Sequence, residues 1–282
     1  MSLISGLLKR PGRESIALYS HFHRPFAHAA HSSWIHPRSF IDDLSAGGIA
    51  SLPRGAGSVE DFRHYMPGTA DLKFAKMFGQ QALEYWLYKK APRCDYIGCS
   101  TYRRYLMIAG ASTCPHHRLI VEPTAEILAD LGSDEHRRAA LLYLQSADVI
   151  TNRSYAIESS IEKQYLDAQP AAYWQLMMSA IETLFPHYRQ HMLWFRDYNL
   201  VHFETTYVMR RAPFMKYARE LFAILEYVFK HAEQVVPDEM PNMPHQPYRY
   251  PGFLGERFFP FFLYANALRT IEVPLVFVGD VT

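Results

Sequence analysis

The chain is poor in cysteine, has no excess of charge of either sign and holds no long apolar run. Cys94, Cys99 and Cys114 are its only cysteines among 282 residues. An odd count at that spacing makes neither a disulfide framework nor a zinc ribbon, so thiols in a reducing, cytoplasmic setting are expected. Lys and Arg total 29 against 28 Asp and Glu, a formal net charge of +1. A nucleic-acid partner is not expected, because such a surface needs a basic excess to neutralise phosphates. No apolar stretch reaches the roughly 20 residues of a spanning helix. Neither G-x-G-x-x-G nor a Walker lysine motif occurs, which removes the familiar glycine-rich phosphate loops. G-x-S-x-G is missing too, and with it the α/β-hydrolase nucleophile elbow. A clean Asp-x-Asp is also lacking, the pair that often holds a divalent cation on a nucleoside diphosphate. No cofactor is therefore expected, with a divalent cation left open.

What is present is apolar and aromatic. Hydrophobic residues are 49% and charged residues 20%, enough to bury a core. Aromatics are 15%, with 19 Tyr and 18 Phe, beside 14 His. Such side chains fill cores, and they also suit sugars and nucleobases. Residues 1–14 read as a tail or short helix, and 15–282 as a single domain. The apolar start from Ser2 to Leu8, followed by Lys9, Arg10 and Arg13, leaves open peripheral docking on the inner face of a membrane.

Strands alternate with helices along the rest. Ile16 to Ser20, Tyr96 to Ser100, Arg118 to Val121, Ala147 to Thr151, Phe203 to Met209 and Ile271 to Val278 read as strands. Ala75 to Lys90, Glu135 to Gln145, Ala171 to Phe185, Pro213 to Lys230 and Gly252 to Leu263 read as helices. Asp42 to Thr69 and Pro237 to Pro251 read as loops. The alternation predicts an α/β fold with a mostly parallel central sheet flanked by helices. In such sheets ligands sit beyond the carboxyl ends of the strands, which points to His21 to Arg24, to Thr101 to Tyr105 and to Thr151 to Arg153.

Tyr102-Arg103-Arg104-Tyr105 is the strongest local signal. Two permanently charged guanidiniums after a buried strand can grip phosphate oxygens in bidentate forks, and the tyrosines can stack or donate hydrogen bonds. The alternative is a loop whose arginines pair with surface carboxylates. His21 and His23 alternate at the end of the first strand, either as polar contacts to a ligand or as satisfied structural histidines. Glu256-Arg257 follows Gly252-Phe253-Leu254-Gly255. A carboxylate there could deprotonate a hydroxyl, or could be an acid placed at a helix start by the dipole. Glu204 stands within an apolar strand-like run, facing either solvent or a site.

These segments, taken in order, resemble a family. The run Tyr19 to Pro25, closing on His23-Arg24-Pro25, is similar to its first strand and Thr-His-Lys-Pro-like turn. Tyr85-Trp86-Leu87-Tyr88-Lys89 is similar to its Tyr-Trp-x-Trp-Lys helix end. Gly98 through Tyr105 resembles its His-Tyr-Arg-Arg-Tyr signature, with Thr101 in the histidine position. Gln80-Gln81-Ala82 replaces a Glu-Leu-Thr run, and Gly252 to Arg257 resembles its Gly-Phe-x-x-Glu-Arg run. The family is that of bacterial capsular and exopolysaccharide glycosyltransferases, long filed as a domain of unknown function.

The resemblance implies a GT-A-like fold that moves a sugar from a nucleotide-sugar donor, a UDP-sugar above all, to a glycan or lipid-linked glycan. It implies a hexosyl or related transferase, with galactofuranosyl transfer among its relatives. In that reading His23 and Arg24 line the nucleotide, and Tyr102, Arg103, Arg104 and Tyr105 hold the diphosphate end. Glu256 is the base toward the acceptor hydroxyl, and Arg257 is a further diphosphate clamp or the partner of Glu256. The other reading is a non-catalytic nucleotide- or glycan-binding relative, or a docking subunit of a polysaccharide assembly machine.

Overall fold

The computed structural model describes residues 15–22, 30–39, 79–101, 103–232 and 249–279. The expected N-terminal tail, the loop from Asp42 to Thr69 and most of the loop before Pro251 lie outside them.

In chain order the elements begin with β1 (Ile16–Phe22), β2 (Ile35–Ser39), α1 (Gln80–Lys90), β3 (Tyr96–Thr101), β4 (Arg104–Leu106) and β5 (Arg118–Val121). Then come α2 (Ala125–Leu131), α3 (Asp134–Ser146), β6 (Val149–Asn152), β7 (Tyr155–Ala156), α4 (Ile161–Leu166), α5 (Ala171–Leu184) and α6 (Arg189–Asp197). The chain closes with β8 (Leu200–Val201), β9 (Tyr207–Arg210), α7 (Arg211–Ala232), α8 (Tyr250–Ala265), β10 (Thr270–Val273) and β11 (Leu275–Val278).

Six strands form the central sheet in the order β10-β6-β9-β3-β1-β2. β1 runs parallel to β2 and β3, and β10 parallel to β6. Only β9 opposes its neighbours, β3 and β6. The carboxyl ends of β1, β3, β6 and β10 therefore share one edge, and β9 enters from that same edge. This is a mixed α/β architecture, with the mostly parallel sheet that strand–helix alternation predicts.

Side chains alternate across the strands, so each strand feeds two cores. Ala17, Tyr19, Ile97, Cys99, Tyr207 and Met209 pack with residues of α1, α5, α7 and α8 on one face. Ile16, Leu18, Tyr96, Ile150 and Val208 pack on the other face against residues of α2, α3 and a second, three-stranded sheet. Its order is β4-β11-β5. Trp86, Trp174, Phe214 and Phe222, expected on helix stripes, are buried in the first of these cores.

Two expected strands take another form. Ile271 to Val278 is two strands, not one: β10 belongs to the large sheet and β11 to the small one. Pro274 separates them, and its lack of an N–H breaks the ladder where the chain changes sheets. Phe203 to Met209 is a strand only from Tyr207. The preceding residues make a turn in which Glu204 has φ 60°, a left-handed conformation incompatible with a strand. Short helices α2 and α4 escaped the periodicity reading because they are barely two turns long. Their caps were legible: Thr124 accepts from Ile127 N, and Ser160 from Lys163 N.

Candidate functional site

The site forms where β3, the turn before β9, β5 and β11 meet at the carboxyl edge of the large sheet. Thr101 ends β3, and the chain passes through Arg103 into β4, which pairs antiparallel with β11. β5 pairs with the other side of β11. Phe277 on β11 thus lies between arginines of the two neighbouring segments. The guanidinium of Arg103 stands 4.5 Å from its ring centre, that of Arg118 4.3 Å, and that of Arg104 5.8 Å. Ring faces attract cations, each such contact contributing about 0.5–1 kcal/mol where water still reaches it.

Each arginine is further fixed. Arg103 Nε donates to the Val278 carbonyl at 3.0 Å. Arg104 Nη1 donates to Thr101 Oγ1 at 3.0 Å, and Nη2 to Glu204 Oε1 at 2.9 Å. The same Glu204 oxygen is 3.6 Å from Arg118 Nη1. Thr101 therefore serves as an acceptor for Arg104. Tyr155 stands beside this group: burial pushes its hydroxyl up, Glu204 pushes it further and Arg118 pulls it back.

The turn 202–206 is anchored by a buried asparagine at the end of β6. Asn152 Nδ2 donates to the Phe203 carbonyl at 3.1 Å, and its Oδ1 accepts from Thr206 N at 3.0 Å. His202 Nδ1 donates to the Asn152 carbonyl at 2.8 Å. Burial holds His202 below the usual imidazole range, against the pull of Glu272. Arg153 donates to the carbonyls of Ala111, Cys114 and His116. The third strand end singled out in the sequence thus holds loops in place.

Glu256 and Arg257 are neighbours on α8. Arg257 is 5% exposed, with its guanidinium 5.9 Å from the Phe203 ring centre. Its Nη1 donates to Glu256 Oε2 at 2.8 Å and its Nη2 to Gln164 Oε1 at 2.6 Å. Of the two roles expected for Arg257, the geometry shows partnership with Glu256. Glu256 itself lies two turns into α8, which starts at Tyr250. The expectation of an opening-turn carboxylate is corrected, since the dipole acts within the first turn. What looked like a glycine-rich approach belongs to the helix. A Cβ on Gly255 would lie 2.4 Å from Gln81 Nε2, so the glycine lets α1 and α8 touch.

Among the other expected contacts, Tyr105 faces inward. It is 1% exposed, its hydroxyl accepts from Ala30 N at 3.1 Å, and burial pushes that hydroxyl up to about 12. It is a core residue, not a ligand contact: β4 turns its ring inward. His23, Arg24 and Tyr102 lie outside the described residues. Arg118 is the cation that sequence reasoning missed. It opens a weakly apolar strand and carries no motif, and only the pairing of β5 with β11 brings it to Phe277. Among the described residues, no group of three or more His, Cys, Asp or Glu is arranged to hold a metal ion.

The sequence matches the family described as domain of unknown function (DUF4422) over residues 76–267. The chain belongs to that family. The match spans the arginine pair, the 202–206 turn and Glu256 with Arg257. No curated protein matches the sequence. Among solved structures, the apo form of the bifunctional glycosyltransferase WbbM superposes with a TM-score of 0.73 at 19% identity. The superposition covers 95% of this chain and 46% of that one, so the chain spans less than half of that protein's length. At this identity the likeness establishes the fold. Among the described residues, no helix is long and apolar enough to cross a membrane.

Proposed function

We propose that the chain is a glycosyltransferase that moves a sugar from a UDP-sugar to a glycan or lipid-linked glycan in capsular or exopolysaccharide biosynthesis. The observation that carries the proposal is the grouping of Arg103, Arg104 and Arg118 around Phe277 at the carboxyl edge of the sheet. Three fixed guanidiniums suit a diphosphate leaving group, whose charge grows as the glycosidic bond to the donor breaks. They can supply electrostatically what a divalent cation supplies elsewhere. Similarity of fold to a protein described as a bifunctional glycosyltransferase supports the same reading.

In this mechanism Tyr102, Arg103 and Arg104 hold the diphosphate, with His23 and Arg24 toward the nucleotide. Glu256 takes the proton of the acceptor hydroxyl as that oxygen attacks the anomeric carbon. Arg257, hydrogen-bonded to Glu256 Oε2, orients the carboxylate so that its other oxygen faces the acceptor. A base in reach of the hydroxyl contributes about 10²–10⁴-fold to rate.

The test is turnover of a panel of UDP-sugars by Arg103→Ala and Glu256→Gln. Arg103→Ala is expected to weaken donor binding, and Glu256→Gln to preserve binding while lowering turnover at least a hundredfold. Unchanged turnover in both variants would refute the assignment. The pairing of Glu256 with Arg257 also favours a second reading, a non-catalytic nucleotide-binding relative. Binding of UDP-sugars without turnover by the wild type would select it.

A further inference from the structure

We infer that Glu204 is a built-in counter-ion that the donor's diphosphate displaces, and that Arg118 is the third cation of the site. This rests on the glycosyltransferase reading above and goes beyond it by naming how the site is held before the donor arrives.

The geometry carries the inference in three ways. First, one carboxylate oxygen of Glu204 serves two guanidiniums from distant strands, Arg104 at 2.9 Å and Arg118 at 3.6 Å. A single oxygen between two cations occupies the place that a phosphate oxygen would take. Second, Glu204 reaches that place from a left-handed backbone conformation, φ 60°. A glutamate in that region carries backbone strain that the surrounding turn must hold. Asn152 and Thr206 hold it: Thr206 Oγ1 donates to the Glu204 carbonyl at 3.0 Å, and Asn152 grips the residues on either side. Third, the ion pairing leaves donors unused. The Nε groups of Arg104 and Arg118 are shut off from solvent with no hydrogen-bond partner. Buried donors in this state are unfavourable, and a diphosphate, with more acceptor oxygens than one carboxylate, could engage them as the guanidiniums turn.

The charges agree with displacement. Three arginines against one glutamate leave the group net positive, while the side chains of Arg104, Glu204 and Arg118 remain 27%, 23% and 34% exposed. Water and an entering anion can therefore reach the pairs. An ion pair that water still reaches is weak, so a multiply charged phosphate can compete with it. When the diphosphate leaves as part of the product nucleotide, Glu204 returns to the arginines. The carboxylate thus keeps the arginine group folded when empty, and by competing it lowers affinity for the product.

The test measures UDP and inorganic pyrophosphate binding by calorimetry for the full chain. The variants are Glu204→Gln, Glu204→Gly, Arg118→Ala and Arg103→Ala. Glu204→Gly suits the left-handed backbone and removes the carboxylate, so it guards against a folding defect in Glu204→Gln. Displacement predicts that both Glu204 variants bind UDP and pyrophosphate about three- to tenfold more tightly, because the competitor is gone. Arg118→Ala should bind both about tenfold more weakly. Weaker binding by both Glu204 variants would mean that Glu204 only positions Arg104, and would overturn the inference. Binding abolished by Arg103→Ala but unchanged by the Glu204 and Arg118 variants would overturn it while leaving the glycosyltransferase reading intact. Absence of UDP and pyrophosphate binding in the wild type and in both Glu204 variants would remove both.

Discussion

Arg103 lies against the backbone of Gly279: a Cβ there would stand 1.8 Å from Arg103 Nη2. The chain closes β11 on Val278, whose carbonyl accepts from Arg103 Nε, and the next residue must have no side chain for the guanidinium to fit. Gly279→Ala should displace the guanidinium and press on the Phe277 ring, whose Cε1 would stand 2.9 Å from the new Cβ. Unfolding free energy is expected to fall by about 1–3 kcal/mol, as for overpacking. UDP affinity is expected to fall about tenfold, as for the loss of one charged hydrogen bond. Denaturant melts and calorimetry on the same variant measure the two effects separately.

Phe277 holds two guanidiniums within 4.5 Å of its ring centre. Replacing it with leucine keeps an apolar side chain on β11 but removes the ring's negative face. Phe277→Leu should cost about 1–2 kcal/mol of stability, two cation–π contacts together. Phe277→Tyr should stay near wild type. Urea unfolding of the two variants measures the contrast.

Glu84 is a buried carboxylate on α1 whose Oε1 accepts from Tyr207 OH at 2.9 Å. Burial raises its pKa from 4.5 to about 7, against the opposing effect of the Tyr207 hydrogen bond. The folded protein therefore holds a proton that the unfolded chain releases between pH 4.5 and 7. This contribution to stability is full below pH 4.5, falls as pH rises to 7 and is level above. The shift corresponds to a loss on the order of 3 kcal/mol across that window. His202 and His136, both lowered by burial, act in the opposite sense, losing stability as pH falls below the usual imidazole range. The difference between wild type and Glu84→Gln isolates the glutamate. Glu84→Gln should gain stability relative to wild type from pH 4.5 to 7, by thermal melts across the range. A constant difference would show that Glu84 is ionised throughout.

Gly255 and Gln81 form the contact between α8 and α1. A Cβ on Gly255 would meet Gln81 at Nε2, Cδ and Cγ, all within 3.0 Å. Gly255→Ala should destabilise by about 1–3 kcal/mol, the usual effect of overpacking. Gln81→Ala in the same chain should recover much of that loss, a coupling that a double-mutant cycle reads directly. Turnover should follow stability, because Glu256 is the next residue and rides on the same helix turn.

Hydrophobic periodicity alone was enough to read α1, α3, α5 and α7 and to place Trp86, Trp174, Phe214 and Phe222 inside, because a helix stripe repeats within one segment. The ends of β1, β3 and β6 were legible for a similar local reason. Alternation of strands and helices orients the strands, and their carboxyl ends become one edge. The arginine pair could thus be placed at that edge from the sequence. Which side chains surround Arg103 and Arg104 could not. Phe277 reaches them because Pro274 sends the chain from one sheet to another, and Arg118 because β5 adds to the far side of β11. Glu204 meets Arg104 across a hundred residues because Asn152 holds its turn in a left-handed conformation. Tyr105 went the other way: Arg103 and Arg104 stay half-buried at the edge, yet β4 turns the Tyr105 ring into the core. Contacts of this kind depend on strand pairing between remote segments, and no local pattern records them.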